Sequence, residues 1–221
     1  MDVIALDCDG VLMDSIPEII KICVKYVGRF FPVKELNTKK AEELVVYFGG
    51  ESFSSGLKKA LESLYPESLY PGKENEEKRE KCHQMIMEER VKIYDKVKPF
   101  PGAVETVKKL VKDYHLVVSS GLEYGIIETW LGRNGPGKCL FDMICSQENG
   151  KKSVHLQLIR AKYPGAKIFY VGDSLSDMKL GDKALGDKAI GVARKTWQAQ
   201  LLKEAGASAI ISSLDQLLAA I

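Results

Sequence analysis

Two aspartates one residue apart stand near the amino terminus, in Val3-Ile4-Ala5-Leu6-Asp7-Cys8-Asp9-Gly10. Carboxylates this close repel each other unless a cation or a shared proton holds them. Two later apolar runs end in matching chemistry. Leu116-Val117-Val118 runs into Ser119 and Ser120, and Ile168-Phe169-Tyr170-Val171-Gly172 runs into Asp173, with Ser174 and Asp177 behind it. Between these two runs, Gly150-Lys151-Lys152 opens a helical pattern. Each feature also has a plain structural reading. The first is equally a strand entering an Asp-Gly turn, and the lysines also read as exposed helix-start charges. Taken together, they would fall on one edge of a parallel sheet, where such sheets place their ligands. Grouped carboxylates suit Mg²⁺, which takes hard oxygen ligands. A lysine, hydroxyl donors and the amino terminus of the helix after Ser120 suit a phosphoryl group. A carboxylate nucleophile beside a second acid then describes phosphoryl transfer through an aspartyl-phosphate.

The elements that must position these residues are legible as periodicity. Ser15 and Glu18 fit a capping box, and Pro17 suits a first helical turn, so a helix is predicted from Pro17 to Phe30. Further helices are predicted at Ala41–Phe48, Ser52–Leu64 and Glu74–Val97, with no convincing strand among them. Pro99-Phe100-Pro101-Gly102 is a punctuated joint. Beyond it, strands are predicted at Leu116–Ser120, Asp142–Cys145, Ile168–Gly172, Ala189–Val192 and Ala209–Ile211. Helices are predicted at Ala103–Lys112, Tyr124–Leu131, Lys152–Lys162, Ser176–Ala184, Thr196–Ala205 and Leu214–Ala220. Strands alternating with helices imply a parallel sheet covered on both faces. The expectation is an α/β domain of residues 1–13 and 99–221, interrupted by a helical insertion of residues 14–98.

Composition narrows the function class. The chain has 221 residues, 45% hydrophobic and 28% charged, which suits a globular protein with a sizeable core. A net charge of +2 gives no reason to expect nucleic acid as a partner. No apolar run is long enough for a membrane span, and the amino terminus does not read as a signal peptide. Cys8, Cys23, Cys82, Cys139 and Cys145 are odd in number and form no C-x-x-C pair. They argue against a disulfide framework or a zinc site and for the cytoplasm. None of His83, His115 and His155 pairs with an acid or cysteine at ligand spacing, and each reads as structural.

Asp7-Cys8-Asp9-Gly10-Val11-Leu12, Val117-Val118-Ser119-Ser120, Lys152, and Val171-Gly172-Asp173-Ser174-Leu175-Ser176-Asp177 resemble the four signature motifs of the haloacid dehalogenase superfamily. The resemblance covers nearly the whole chain and is nearest in texture to the phosphoglycolate phosphatase and β-phosphoglucomutase branch. It implies a Rossmann-like doubly wound sheet carrying a helical cap inserted between the first and second motifs. It also implies roles. Asp7 attacks phosphorus, and Asp9 protonates the leaving alkoxide and then activates water. Ser119 and Ser120 bind the phosphoryl oxygens, and Lys152 balances their charge. Mg²⁺ is held by Asp7, the Asp9 carbonyl and Asp173, with Asp177 supporting the metal or Lys152. Many relatives have Lys-Pro at the third motif. Here Lys152 is preferred to Lys151 because Leu156 and Ile159 then follow at helical spacing.

Dehalogenases of this superfamily lack an acid at the position of Asp9, so the resemblance implies phosphate chemistry. The expected activity is hydrolysis of a small phosphorylated metabolite, by a monomer or a homodimer. The alternatives are a phosphosugar mutase and a non-catalytic binding module. The mutase of this branch carries a histidine in the early cap, and no histidine lies between Asp9 and His83. In the cap, Gly49-Gly50-Glu51-Ser52 resembles a substrate loop, and Arg29, Lys58 and Lys59 read either as anion contacts or as ordinary helix-face charges.

Overall fold

The computed structural model describes residues 1–32, 38–49, 52–181 and 183–221. Among the described residues six parallel strands form: β1 (Val3–Leu6), β2 (His115–Ser119), β3 (Met143–Cys145), β4 (Ile168–Gly172), β5 (Lys188–Val192) and β6 (Ala209–Ile211). They form one sheet in the order β3-β2-β1-β4-β5-β6. The helices are α1 (Ile16–Phe30), α2 (Thr38–Phe48), α3 (Phe53–Leu64), α4 (Lys73–Ile93), α5 (Ala103–Leu110), α6 (Tyr124–Arg133), α7 (Lys152–Lys162), α8 (Thr196–Glu204) and α9 (Leu217–Ala220). This is the doubly wound α/β arrangement that the alternating pattern predicts.

Strand alternation divides the core in two. Ile4, Leu6, Leu116, Val118, Val171 and Ile190 point to one face, against α5 and α6. Val3, Ala5, Val117, Ile168 and Tyr170 point to the other, with Ile159 of α7 among them. Because both faces are covered, β1 is apolar throughout and fully buried. It lies at the centre, pairing β2 on one side and β4 on the other, with Leu6 opposite both Val118 and Val171. The strand order reverses here, where a crevice opens at the carboxyl edge.

Helices α1 to α4 build their own apolar cluster, which includes Ile20, Val27, Ala41, Leu57, Leu61 and Ile86. Phe31 stacks on Tyr65 at 4.2 Å between ring centroids, and Tyr70 meets both rings edge-on. The chain enters and leaves these helices at adjacent points. Asp14 N–H donates to the Lys98 carbonyl (3.0 Å) and Phe100 N–H to the Leu12 carbonyl (3.1 Å).

Three local expectations change. Ser176–Ala184 is not one helix among the described residues: single turns at Asp177–Lys179 and Lys183–Leu185 flank Gly181, whose φ of +100° breaks helical geometry. α4 stops at Ile93 rather than reaching Val97. Ser15 does not cap α1 with its side chain; its hydroxyl is drawn to Asp9 instead. Gly50 and Glu51 of the expected substrate loop lie outside the described residues. No helix of the described residues is long and apolar enough to cross a membrane.

Candidate active site

The carboxyl ends of β1 and β4 bring the acids together. Asp7 follows β1 directly and continues its ladder, its N–H donating to the Val171 carbonyl at 3.0 Å. Asp7 Oδ1 accepts from the Cys8 N–H at 2.7 Å, and Oδ2 accepts from Lys152 Nζ at 2.5 Å. Lys152, the first residue of α7, also donates to Asp177 Oδ1 at 2.6 Å. Asp177 Oδ2 accepts from Ser174 Oγ at 2.6 Å. Lys151, one residue earlier, is exposed. The structure therefore brings Lys152, and not Lys151, to the acids.

Two glycines let the acids crowd. A Cβ on Gly10 would fall 1.9 Å from Asp173 Oδ2, and the φ of +74° there already favours glycine. A Cβ on Gly172 would fall 2.3 Å from Asp177 Oδ2. Asp7, Asp173 and Asp177 each present an oxygen within 4.8 Å of the others, all three buried. Among the described residues one ammonium, Lys152, is bonded to two of them, Asp7 and Asp177. Burial raises the Asp7 carboxyl to about 6, with Lys152 opposing and Asp177 adding to the rise. Burial, Asp7 and Asp177 push Asp173 well above the usual carboxylate range. Burial would lower Lys152, yet Asp177 and Asp7 overcome it and hold the ammonium charged. Such a set is short of positive charge and made of hard oxygens, so its chemistry fits a divalent cation such as Mg²⁺.

Asp9 sits apart from this cluster. Its Oδ1 accepts from Ser15 Oγ at 2.5 Å and its Oδ2 from Tyr94 Oη at 3.0 Å. Burial raises its pKa, while Ser15, Tyr94 and Arg90 hold the rise down. Arg90, on α4, is almost fully buried and clamps Glu123 through Nη2 at 2.6 and 2.7 Å. The guanidinium lies over the Phe53 ring at 4.5 Å, and its Nε and Nη1 have no hydrogen-bond partner among the described residues. Arg194 Nη1 donates to the Gly10 carbonyl at 2.7 Å and pins the Asp9-Gly10 turn.

The two serines part company. Ser119 is the last residue of β2, and alternation with Val118 turns it to the Tyr170 face. Its Oγ is within 2.9 Å of His155 Nδ1 and 2.5 Å of Tyr170 Oη, beneath the site. Ser120, one residue beyond the strand, lines the cavity together with Gly121 and Leu122. The α6 amino terminus is also less available than its place after Ser120 suggests. The Tyr124 N–H is taken by the Glu148 carboxylate at 3.1 and 3.2 Å. The cap basic residues do not reach the cavity either. Arg29, Lys58 and Lys59 are exposed, Arg29 lying over Tyr26 and Lys58 pairing with Glu80.

Sequence reasoning singled out Asp7, Asp9, Ser119, Ser120, Lys152, Asp173 and Asp177. It missed Tyr94, Arg90 and Arg194, and it read Ser15 as a cap. None of these had a local signal. Tyr94 and Arg90 follow long helical text, and only folding brings them back to Asp9.

Comparison with known proteins accords with this geometry. The profile of the haloacid dehalogenase-like hydrolases matches residues 4–192. No curated protein sequence matches the chain. Among solved structures, a predicted phosphoglycolate phosphatase of Haemophilus somnus is 15% identical with a TM-score of 0.73, over 99% of this chain and 97% of its own. A haloacid dehalogenase-like family hydrolase of Streptococcus pneumoniae is 16% identical with a TM-score of 0.70, over 99% and 97%. A provisionally named β-phosphoglucomutase of Thermotoga maritima is 20% identical with a TM-score of 0.60, over 99% and 97%. At these identities the likeness is one of fold. With the profile spanning the sheet from β1 to β5 and the acids gathered at its carboxyl edge, the chain belongs to the haloacid dehalogenase-like hydrolase family.

Proposed function

We propose that this chain is a Mg²⁺-dependent phosphatase that hydrolyses a small phosphomonoester through an aspartyl-phosphate on Asp7. The observation that carries the reading is the buried Asp7–Lys152–Asp177 chain with a second acid, Asp9, two residues from the nucleophile. Asp7 and Asp173 would hold the cation with the Asp9 carbonyl, and Asp177 would support it. When bound, Mg²⁺ would supply positive charge against the phosphoryl oxygens.

The chain's own residues account for the remaining steps. An Asp7 oxygen forms a bond to phosphorus as the ester P–O bond breaks. Asp9 gives its proton to the departing alkoxide. In the second half a water oxygen attacks phosphorus, Asp9 takes the proton, and the Asp7–phosphorus bond breaks. Lys152 keeps Asp7 charged and oriented and offsets phosphoryl charge. In this reading Ser120 is the hydroxyl that meets the phosphoryl group, while Ser119 holds the strand end from below. Residues 14–98 act as the cap that covers the site, and Ser15 and Tyr94 couple that cap to Asp9.

The test is phosphate release from acetyl phosphate, a donor with almost no leaving-group bulk. Release is expected with Mg²⁺ and not in chelator. Asp7→Asn, an amide that cannot serve as nucleophile, is expected to lower turnover by at least about a thousandfold with the circular dichroism spectrum unchanged. Turnover by that variant near the native rate would remove Asp7 from the role.

A further inference from the structure

The cavity over the acids has two kinds of wall. Its base holds Asp7, Asp9, Lys152 and Asp173, whereas every wall residue from the described parts of α1, α2 and α3 is apolar or glycine. Ile20 and Cys23 face it from α1, Leu44 and Val45 from α2, and Leu57 and Ala60 from α3. None of the lysines, arginines or hydroxyl residues of these helices lines it among the described residues. A carboxylate or sugar hydroxyl carried into this space would lose water and meet no donor on these helices, which is costly. An apolar group there would gain by leaving water. The cavity measures about 130 Å³. An apolar cavity of about 150 Å³ takes up benzene, so this one, which also holds the phosphoryl group over the acids, leaves room for a smaller group.

We propose that the cavity seats the leaving group of the substrate, and that this group is an apolar one of a few carbons, smaller than benzene. The proposal rests on the phosphatase reading and narrows it to a substrate class. A phosphorylated aliphatic alcohol fits both halves: the phosphoryl group lies on the acids and the alcohol carbons lie among α1, α2 and α3. Phosphoglycolate and hexose phosphates, with polar groups at every carbon, do not.

The experiment is calorimetric titration of the whole chain, with Mg²⁺ present, by straight n-alkylphosphonates of two to eight carbons. These probes are not hydrolysed, so binding is read apart from turnover. Affinity is expected to rise about fourfold for each added methylene and to level off before about six carbons. 3-Phosphonopropionate is expected to bind more weakly than n-propylphosphonate. A flat series, or tighter binding by the carboxylated probe, would overturn the proposal. Ala60→Phe adds a ring to the cavity wall and is expected to stop the gain at a shorter chain. If that variant does not fold, the native series decides alone. Failure of the phosphatase reading shows separately, as no Asp7-dependent phosphate release from acetyl phosphate, whatever the phosphonates do.

Discussion

The two halves of the cavity obey different rules. At the strand edge, Asp7, Asp173 and Asp177 crowd together with Lys152 bonded to two of them, and two glycines are needed to let them approach. On the helical side, no single atom is specified among the described residues; what α1, α2 and α3 contribute is apolar surface around a space. Chemistry on phosphorus needs particular charges at particular distances. Enclosing an apolar alcohol needs only shape and dryness. Substitutions at the strand edge should therefore remove activity outright, whereas substitutions in the helices should rescale it from one substrate to another.

The largest effect within this comparison is expected at Lys152. Lys152→Ala leaves Asp7 and Asp177 buried side by side with no counter-charge. Breaking a buried ion pair on one side costs about 3–5 kcal/mol. Mg²⁺ offsets part of that loss, so the folded variant should survive in its presence. Turnover of acetyl phosphate should fall by about a hundredfold or more. Lys151→Ala, at an exposed position one residue away, should stay within about twofold of the native rate. Measured kcat for the pair checks both, and equal losses would place the catalytic ammonium elsewhere.

Tyr94→Phe tests the seam where the halves meet. It deletes one of the two hydroxyls that hold Asp9 and leaves the ring in place. That hydroxyl favours the charged carboxylate, so its loss should raise the Asp9 pKa further. The protonated acid then persists to higher pH, and the alkaline limb of kcat against pH should move upward. The rate at neutral pH should fall by about tenfold. An unmoved limb would mean that Tyr94 only packs the cap against the sheet.

How much of this was legible before folding follows the same division. Asp7, Asp9, Lys152, Asp173 and Asp177 stand out because apolar strands ending in acids are unusual text, and a parallel sheet puts such ends on one edge. The alternation of strands and helices follows from periodicity and the joint at Pro99–Gly102 from its prolines, whereas the strand order comes only with the fold. The helical wall has no signal of its own in the sequence, because an apolar residue facing a cavity and one facing a core have the same spacing. Ser15 was misread because its sequence context fits a cap equally well, and only the fold shows Asp9 to be the stronger partner. The two serines, both named from the sequence, are parted only by the fold. Strand alternation places consecutive side chains on opposite faces, so a one-step uncertainty in where β2 ends decides which hydroxyl meets the cavity.

The serine pair separates reaction from support. Ser119→Ala strips a partner from both His155 and Tyr170 in a fully buried layer. Leaving buried polar groups unpaired costs about 1–3 kcal/mol, which should lower Tm by several degrees with kcat changed only a few-fold. Ser120→Ala removes a hydroxyl from the cavity wall. It should lower kcat more than Ser119→Ala does, with less effect on Tm. The opposite assignment of the two losses would return the phosphoryl contact to Ser119.

The smallest effect comes from the charge imbalance of the strand edge itself. In chelator, the folded state raises Asp7 to about 6, and it also raises Asp9 and Asp173 above their ordinary range. The unfolded chain gives up the same protons near pH 4. Between these limits the folded state binds more protons, so its stability falls as pH rises through the window and is lowest above the folded pKa values. His155, whose pKa burial lowers, works the other way, losing stability as pH falls below its ordinary range. The carboxylate contribution is therefore isolated as a difference. Tm in chelator should drop by a few degrees, relative to Tm in Mg²⁺, between pH 5 and pH 8. A cation held by Asp7 and Asp173 replaces the protons, so the Mg²⁺ curve should not share that drop. Parallel curves would mean that the acids are balanced by something other than a bound divalent ion, and the contrast between a charged half and an apolar half would lose its physical basis.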